Sequence, residues 1–177
     1  RVRDTGRNST IANTLREQSR MHPVICELVS NAFYKRLLVS SDRVKARHQA
    51  VECADGFPAS PVVILDMPSL SVVRRRAFEQ TVKRSIRNEV EAAAVLAAMK
   101  KLRPIKREGE PVPTLVVLSP YLAQVNHLER LLKAEIDVSA GTLFGFASAR
   151  GDGKFVYTSD SFQGGESDVV VASLVLN

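Results

Sequence analysis

Two short segments of this sequence gather side chains suited to handling phosphate and sugar groups. The first, Leu15-Arg16-Glu17-Gln18-Ser19-Arg20-Met21-His22-Pro23, contains Arg20, whose planar guanidinium is always charged and can neutralise charge developing on a transferred phosphoryl group. The plainer reading is a surface arginine paired with Glu17 or Glu27. The second, Thr158-Ser159-Asp160-Ser161-Phe162-Gln163-Gly164-Gly165-Glu166-Ser167-Asp168, sets Glu166 directly after a glycine pair. Two glycines let backbone approach a ligand closely, and a carboxylate beside them can accept hydrogen bonds from ribose hydroxyls. The same carboxylate can instead cap the turn into the next strand. The hydroxyls of Ser119, Thr158 and Ser159 can donate to phosphate oxygens, and Tyr121, after Pro120, can stack on a base or pack beside its own helix. None of these contacts reads a base sequence.

These residues need a scaffold. Ile25, Leu28, Val29, Ala32, Phe33 and Leu37 recur at steps of three and four after Pro23, which predicts a helix with proline in its first turn. Residues 62–65 (Val-Val-Ile-Leu) and 115–118 (Leu-Val-Val-Leu) are short apolar runs of the kind found in strands buried on both faces. Between them, residues 88–102 are Ala-rich and helical in pattern, ended by Arg103-Pro104, and Leu122, Val125, Leu128 and Leu132 mark a further helix. Residues 155–157 and 169–175 complete the strand candidates. Strands alternating with helices predict βαβ crossovers and a doubly wound α/β domain with a mainly parallel sheet. Residues 1–16 read as a linker or lead-in and 17–177 as one domain, with surface loops expected over 69–87 and 138–154. In such a sheet, ligands lie across the C-terminal ends of the strands.

Composition sets bounds. The 177 residues suffice for one domain with a core, and 45% are hydrophobic. The apolar runs are too short for a membrane span, and a cytoplasmic site is expected, or a nuclear one in a eukaryotic cell. Cys26 and Cys53 are far apart and the three histidines are scattered, so neither a disulfide framework nor a metal site is expected. A net charge of +6 favours a polyanionic partner. The densest basic stretch, Arg74-Arg75-Arg76 with Lys83, Arg84 and Arg87, can grip a phosphate backbone or be a solvated loop.

The two segments also carry a resemblance. Gln18 to Pro23 is similar to the Gln-Tyr-Arg-Met-His-Pro motif of superfamily 1 helicases like those of nonsense-mediated mRNA decay, an AAA-type DNA/RNA helicase group. Thr158 to Asp168, followed by an apolar strand, resembles that family's motif V. Asn88-Glu89-Val90-Glu91-Ala92 and Ser119-Pro120-Tyr121 with Gln124 match in the right order between them. The resemblance runs from about Leu15 to the end of the chain. It implies the second, C-terminal RecA-like motor domain, of P-loop NTPase type with helices on both sheet faces.

That resemblance gives the residues roles. Arg20 is the catalytic arginine finger; Gln18, Gly164, Gly165 and Glu166 contact the nucleotide; Asp160 and Gln163 tie the second loop together and couple the nucleotide cleft to the nucleic-acid groove. Ser119, Pro120, Tyr121, Thr158 and Ser159 meet a single strand of DNA or RNA. ATP and Mg²⁺ are the implied cofactors, held mainly by an upstream RecA-like domain of the same polypeptide, because this sequence has neither a Gly-x-x-x-x-Gly-Lys-Ser/Thr loop nor an Asp-Glu pair after a strand. The chain alone is therefore expected to be inactive, and 5′-to-3′ travel is implied for the whole motor. Departures exist. Ser19 stands where the family has Tyr, removing a ring that can stack on adenine; Leu176 stands where an arginine is common; and the chain ends before the family's last motif. A non-catalytic binding domain derived from such a motor is the competing reading.

Overall fold

Helix α1 (Pro23–Phe33) begins with its proline at the first helical position, where a missing N–H costs nothing, and His22 caps it by accepting the Val24 N–H on its ring Nδ1 at 3.2 Å. In the computed structural model, residues 16–66, 79–82 and 85–175 are described, and the chain divides into two compact units between His48 and Gln49. In the first unit, β1 (Glu17–Gln18) pairs in parallel with β2 (Val39–Ser40), and the short α2 (Asp42–Lys45) follows. Helix α1 buries Cys26 and Ser30. It stops short of Leu37 because Lys35 and Arg36 take φ values of 51° and 64°, a left-handed pair that no α-helix continues through.

The second unit is organised around β7 (Thr114–Ser119). Its apolar run gives Leu115, Val116 and Val117 with no exposed surface, as expected of a central parallel strand. Strand β12 (Val169–Ala172) pairs along Leu115 to Leu118, whereas β10 (Ala147–Ser148) covers Thr114 and Leu115 and β11 (Val156–Thr158) covers Val117 to Ser119, all in parallel. A strand has two edges, so the overlaps place β12 on one side of β7 and β10 and β11 on the other. Helices α3 (Glu89–Met99) and α4 (Leu122–Lys133) flank the sheet. Ala92, Val95 and Met99 from α3 and Val125, Leu128 and Leu132 from α4 share a core with Leu115 and Val117. The alternate residue Val116 packs with Tyr157 and Phe162 in a smaller cluster. This is the expected α/β architecture, a parallel sheet flanked by helices.

Five expectations need correction. The strand expected over 169–175 ends at Ala172, and Val175 takes a left-handed φ of 72°. Residues 62–65 form no strand: Ile64 is 87% exposed, and the Val62 N–H is satisfied locally by Ser60 Oγ at 3.4 Å. A short apolar run carries hydrophobicity without a period, so it cannot announce a ladder partner. The helix expected over 88–102 ends at Met99, and β6 (Leu102–Pro104) turns back to pair antiparallel with β3 (Val51–Cys53). Within 69–87, β4 (Glu79–Val82) and β5 (Ser85–Asn88) form an antiparallel pair. The stretch 138–154 is not merely a surface loop. It contributes β9 (Thr142–Leu143), which pairs with β8 (Ile136–Asp137), and β10, and it buries Leu143 and Phe146 completely. Gly141 and Gly145, at φ values of 64° and 86°, make the turns that bring those two side chains to the core.

Candidate functional site

Arg20 lies on an exposed turn between β1 and α1 whose backbone is fixed from two directions. From inside, the Gln18 carboxamide oxygen accepts the N–H groups of Arg20 at 2.8 Å and Met21 at 2.6 Å, while its NH₂ donates to Met21 O at 2.9 Å and Ser40 Oγ at 2.8 Å. All four hydrogen-bonding positions of that amide are used, which makes Gln18 the knot of the turn. From outside, Arg47 donates from Nη1 to the Arg20 carbonyl at 3.0 Å and from Nη2 to the Ser19 carbonyl at 3.1 Å. Ser19 adds a tie of its own, donating to Ser41 Oγ at 3.0 Å. The small hydroxyl that stands in the tyrosine position thus stitches the turn to the residue before α2.

The second candidate loop leaves β11 at its C-terminal end. Thr158 Oγ1 accepts the Ser161 N–H at 3.2 Å and donates to Ser161 Oγ at 2.8 Å, while Ser161 Oγ donates to Thr158 O at 3.0 Å. Phe162 then tucks beneath the glycine pair. A Cβ on Gly165 would sit 2.6 Å from the Phe162 ring, closer than real contacts allow, and Gly164 has φ 81°. Both glycines are therefore required by local geometry, the first for its left-handed backbone and the second for the ring pressed against it. Arg150 completes the arrangement: its guanidinium lies 5.1 Å from the centroids of both the Tyr157 and Phe162 rings and donates to Ser161 O at 3.0 Å. Tyr157 donates its hydroxyl to Asp152 at 2.7 Å. Burial, and then that bond, push the phenol up from 10.0 to about 12, and the same bond holds the Asp152 carboxyl below its ordinary value. Asp160 and Gln163, the expected ties, are exposed and bonded to each other, the Gln163 N–H donating to the Asp160 carbonyl at 3.2 Å, and Thr158, Ser161, Phe162 and Arg150 add to the hold on the loop. Past Glu166, which is exposed, Asp168 accepts both the N–H and the hydroxyl of Thr114 at 2.8 Å and so fastens the start of β12 to the start of β7.

The loop at the end of β7 joins the second one. The Ser159 N–H donates to Ser119 O at 3.1 Å, and the Tyr121 N–H donates to Ser119 Oγ at 3.3 Å. Ser119 is completely buried, so its hydroxyl supports the turn, while Pro120 and Ser159 are exposed and Tyr121 and Thr158 half-buried. Beneath these loops runs a buried polar hub. Gln124 accepts the Asn88 N–H at 2.9 Å and donates to Asn88 O at 3.2 Å and Ser173 Oγ at 3.0 Å. Ser173 in turn donates to Glu91 Oε1 at 2.6 Å, which also accepts the Val175 N–H at 3.1 Å. Asn88 caps α3 through the Glu91 N–H at 3.0 Å. The other Glu91 oxygen, Oε2, is buried without a hydrogen-bond partner among the described residues.

A family model described as an AAA domain matches residues 2–177. The chain belongs to the AAA domain family. Two curated relatives are the DNA polymerase alpha-associated DNA helicase A of Saccharomyces cerevisiae, 29% identical over 91% of this chain, and the probable helicase senataxin of Homo sapiens, 27% identical over 89% of it. The chain spans 22% of the length of the first and 5% of the second.

Of the residues singled out in the sequence, Gln18 and Arg20 sit together in the first unit. Ser119, Pro120, Tyr121, Thr158 and Ser159 lie together at the C-terminal ends of β7 and β11 in the second, and Asp160, Gln163, Gly164, Gly165 and Glu166 follow on the loop that runs from there to the start of β12, beside the start of β7. Arg74, Arg75, Arg76, Lys83, Arg84 and Leu176 lie outside the described residues, while Arg87, on β5, pairs with Glu89 at 2.8 Å. Among the described residues, no group of three or more His, Cys, Asp or Glu could hold a metal ion, and no helix is long and apolar enough to cross a membrane. Sequence reasoning missed Arg47, Arg150 and Ser173. Neither arginine stands in a recognisable motif, and each acquires its role by tertiary contact with a carbonyl 11 to 28 residues away.

Proposed function

We propose that this chain is the second RecA-like motor domain of a superfamily 1, ATP-dependent nucleic-acid helicase. The observation that carries the reading is the joining of two loops at the C-terminal ends of β7 and β11 by the Ser159 to Ser119 hydrogen bond. That end of a parallel sheet is where ligands are bound in open α/β folds. The exposed Pro120 and Ser159 and the half-buried Tyr121 and Thr158 offer hydroxyls, backbone and a ring to a single strand, while Glu166, a few residues on, offers a carboxylate to a ribose. One segment, with Asp160 and Gln163 bonded to each other inside it, thereby couples both ligands. The helicase names of both relatives support the assignment.

Arg20 acts as the arginine finger. Its backbone is locked while its side chain is exposed, which suits a charge that must meet a partner's phosphate at a fixed position. Gln18 serves the nucleotide by holding that turn. Bound with Mg²⁺ on an upstream phosphate-loop domain, ATP supplies the phosphoanhydride bond whose hydrolysis drives the motor. Arg20 stabilises the charge that develops there, and the loop from Thr158 to Glu166 transmits the state of the cleft to the strand. Travel 5′ to 3′ follows from the family resemblance.

The test is single-strand-stimulated ATPase activity of the complete polypeptide, native against Arg20→Ala, with DNA and RNA supplied separately. A fall of about a hundredfold or more is expected on removing an arginine finger, and the better-stimulating strand identifies the track. An unchanged rate removes Arg20 from the site and favours a non-catalytic binding domain, the reading to which Ser19 and Leu176 also lean.

A further inference from the structure

We infer that Arg47 is a positioning residue for Arg20, and that its guanidinium fork, bridging two consecutive carbonyls, sets the direction in which the finger points. This inference rests on the reading of Arg20 given above. Its own basis is geometric. The peptide units flanking Arg20 are held at both ends, with the Arg20 N–H on Gln18 Oε1 at 2.8 Å and the Arg20 carbonyl on Arg47 Nη1 at 3.0 Å. The Ser19 carbonyl goes to Arg47 Nη2 at 3.1 Å.

Two carbonyls in succession fix a plane, and a planar guanidinium with two parallel N–H groups matches that plane in a way a single ammonium does not. Arg47 is itself anchored, because its N–H donates to Val44 O at 3.2 Å at the end of α2, and Val44 is 2% exposed. The fork therefore relays the position of a buried residue to the turn that carries the finger.

A side chain that only stabilised the fold would be redundant at this exposed place. Gln18 already satisfies the turn's amides and ties it to Ser40, and Ser19 already ties it to Ser41. Gln18 also holds the Met21 carbonyl, so what Gln18 and Ser19 leave to Arg47 is the pair of carbonyls of Ser19 and Arg20, on either side of the Arg20 Cα–Cβ bond. Displacement of a catalytic group by about 1 Å costs on the order of a hundredfold in rate.

The experiment is a double-mutant cycle on kcat and KM for ATP in the complete polypeptide, using Arg20→Ala, Arg47→Ala and the pair, with Arg47→Lys as a second variant and melting temperature measured throughout. The expected results are a kcat lowered by about tenfold to a hundredfold for Arg47→Ala, an unchanged KM, a partial loss for Arg47→Lys, and a double variant no slower than Arg20→Ala alone. Such non-additivity is the mark of one residue acting through the other, which a general structural role would not produce. Full activity in Arg47→Ala, full rescue by lysine, or losses that simply add would overturn the inference. An unchanged rate in Arg20→Ala would instead overturn the finger reading. If Arg47→Ala fails to fold, the same cycle is run with Arg47→Lys, where a full rate overturns the inference and a lowered kcat that does not add to Arg20→Ala supports it.

Discussion

The turn at Arg20 and the loop from Thr158 to Glu166 both have to present exposed side chains at fixed positions, and they are built by opposite means. The first belongs to a small unit in which, among the described residues, Cys26 and Val44 are the buried apolar side chains, and it is held by hydrogen bonds that Gln18, Ser19 and Arg47 make with backbone and hydroxyls. The second hangs from a well-packed sheet. It is held by a phenylalanine pressed under a glycine, with a guanidinium against two rings. The difference teaches that packing density decides how a loop is made rigid. Where a core is at hand, an aromatic side chain anchors the loop cheaply; where none is, polar groups must be matched one by one.

Gly165→Ala puts a methyl carbon into the Phe162 ring, which is buried beside Val116 and Tyr157 and has little room to retreat. A loss of about 1–3 kcal/mol is expected from such overpacking, measurable by denaturant unfolding, together with a raised KM for ATP as Glu166 is displaced. Gln18→Ala removes bonds that lie at the surface or partly buried, each with a net worth of about 1 kcal/mol. Its signature is local: the Arg20 and Met21 amides exchange with solvent faster, while the amides of β7 keep their protection. Equal loss of protection in both units would erase the contrast drawn between them.

The smallest effect concerns pH. The Tyr157 hydroxyl is held protonated by burial and by Asp152, its value rising from 10.0 to about 12. A group raised in the folded state contributes stability that is complete below its unfolded value and is lost as pH rises through the folded one. Native protein should therefore lose more stability than Tyr157→Phe between pH 10 and 12. Parallel melting curves for the two proteins across that window would show that the hydroxyl is not held by the fold in this way.

Much of this was legible beforehand, for identifiable reasons. Helix α4 buries the face its period marks out, with Val125, Leu128 and Leu132 in the core, whereas α1 forms where its spacing predicts but buries Cys26 and Ser30 and leaves Leu28, Ala32 and Phe33 exposed; β7 is an apolar run that does become a central strand. Arg20 and the glycine pair were visible because adjacent residues in a motif carry their own context. By contrast, residues 62–65 have the composition of a strand but no partner, and Leu143 and Phe146 reach the core through glycine turns that look like loop. The Gln124, Glu91 and Ser173 hub joins residues 49 to 82 positions apart: Glu91 and Gln124 stand in stretches the family resemblance marks, but their meeting at Ser173 is set by the fold.

The roles proposed for Arg20 and Glu166 make separate claims, one on the transferred phosphoryl group and one on the nucleotide sugar. The most direct test measures kcat and KM for ATP side by side in Arg20→Ala and Glu166→Ala forms of the complete, strand-stimulated polypeptide. The predicted result is a split: kcat collapses with KM little changed for Arg20→Ala, whereas KM rises with kcat largely kept for Glu166→Ala. Native values of both constants in either variant would contradict the claim for that residue, and native values in both would remove the nucleotide from this chain altogether.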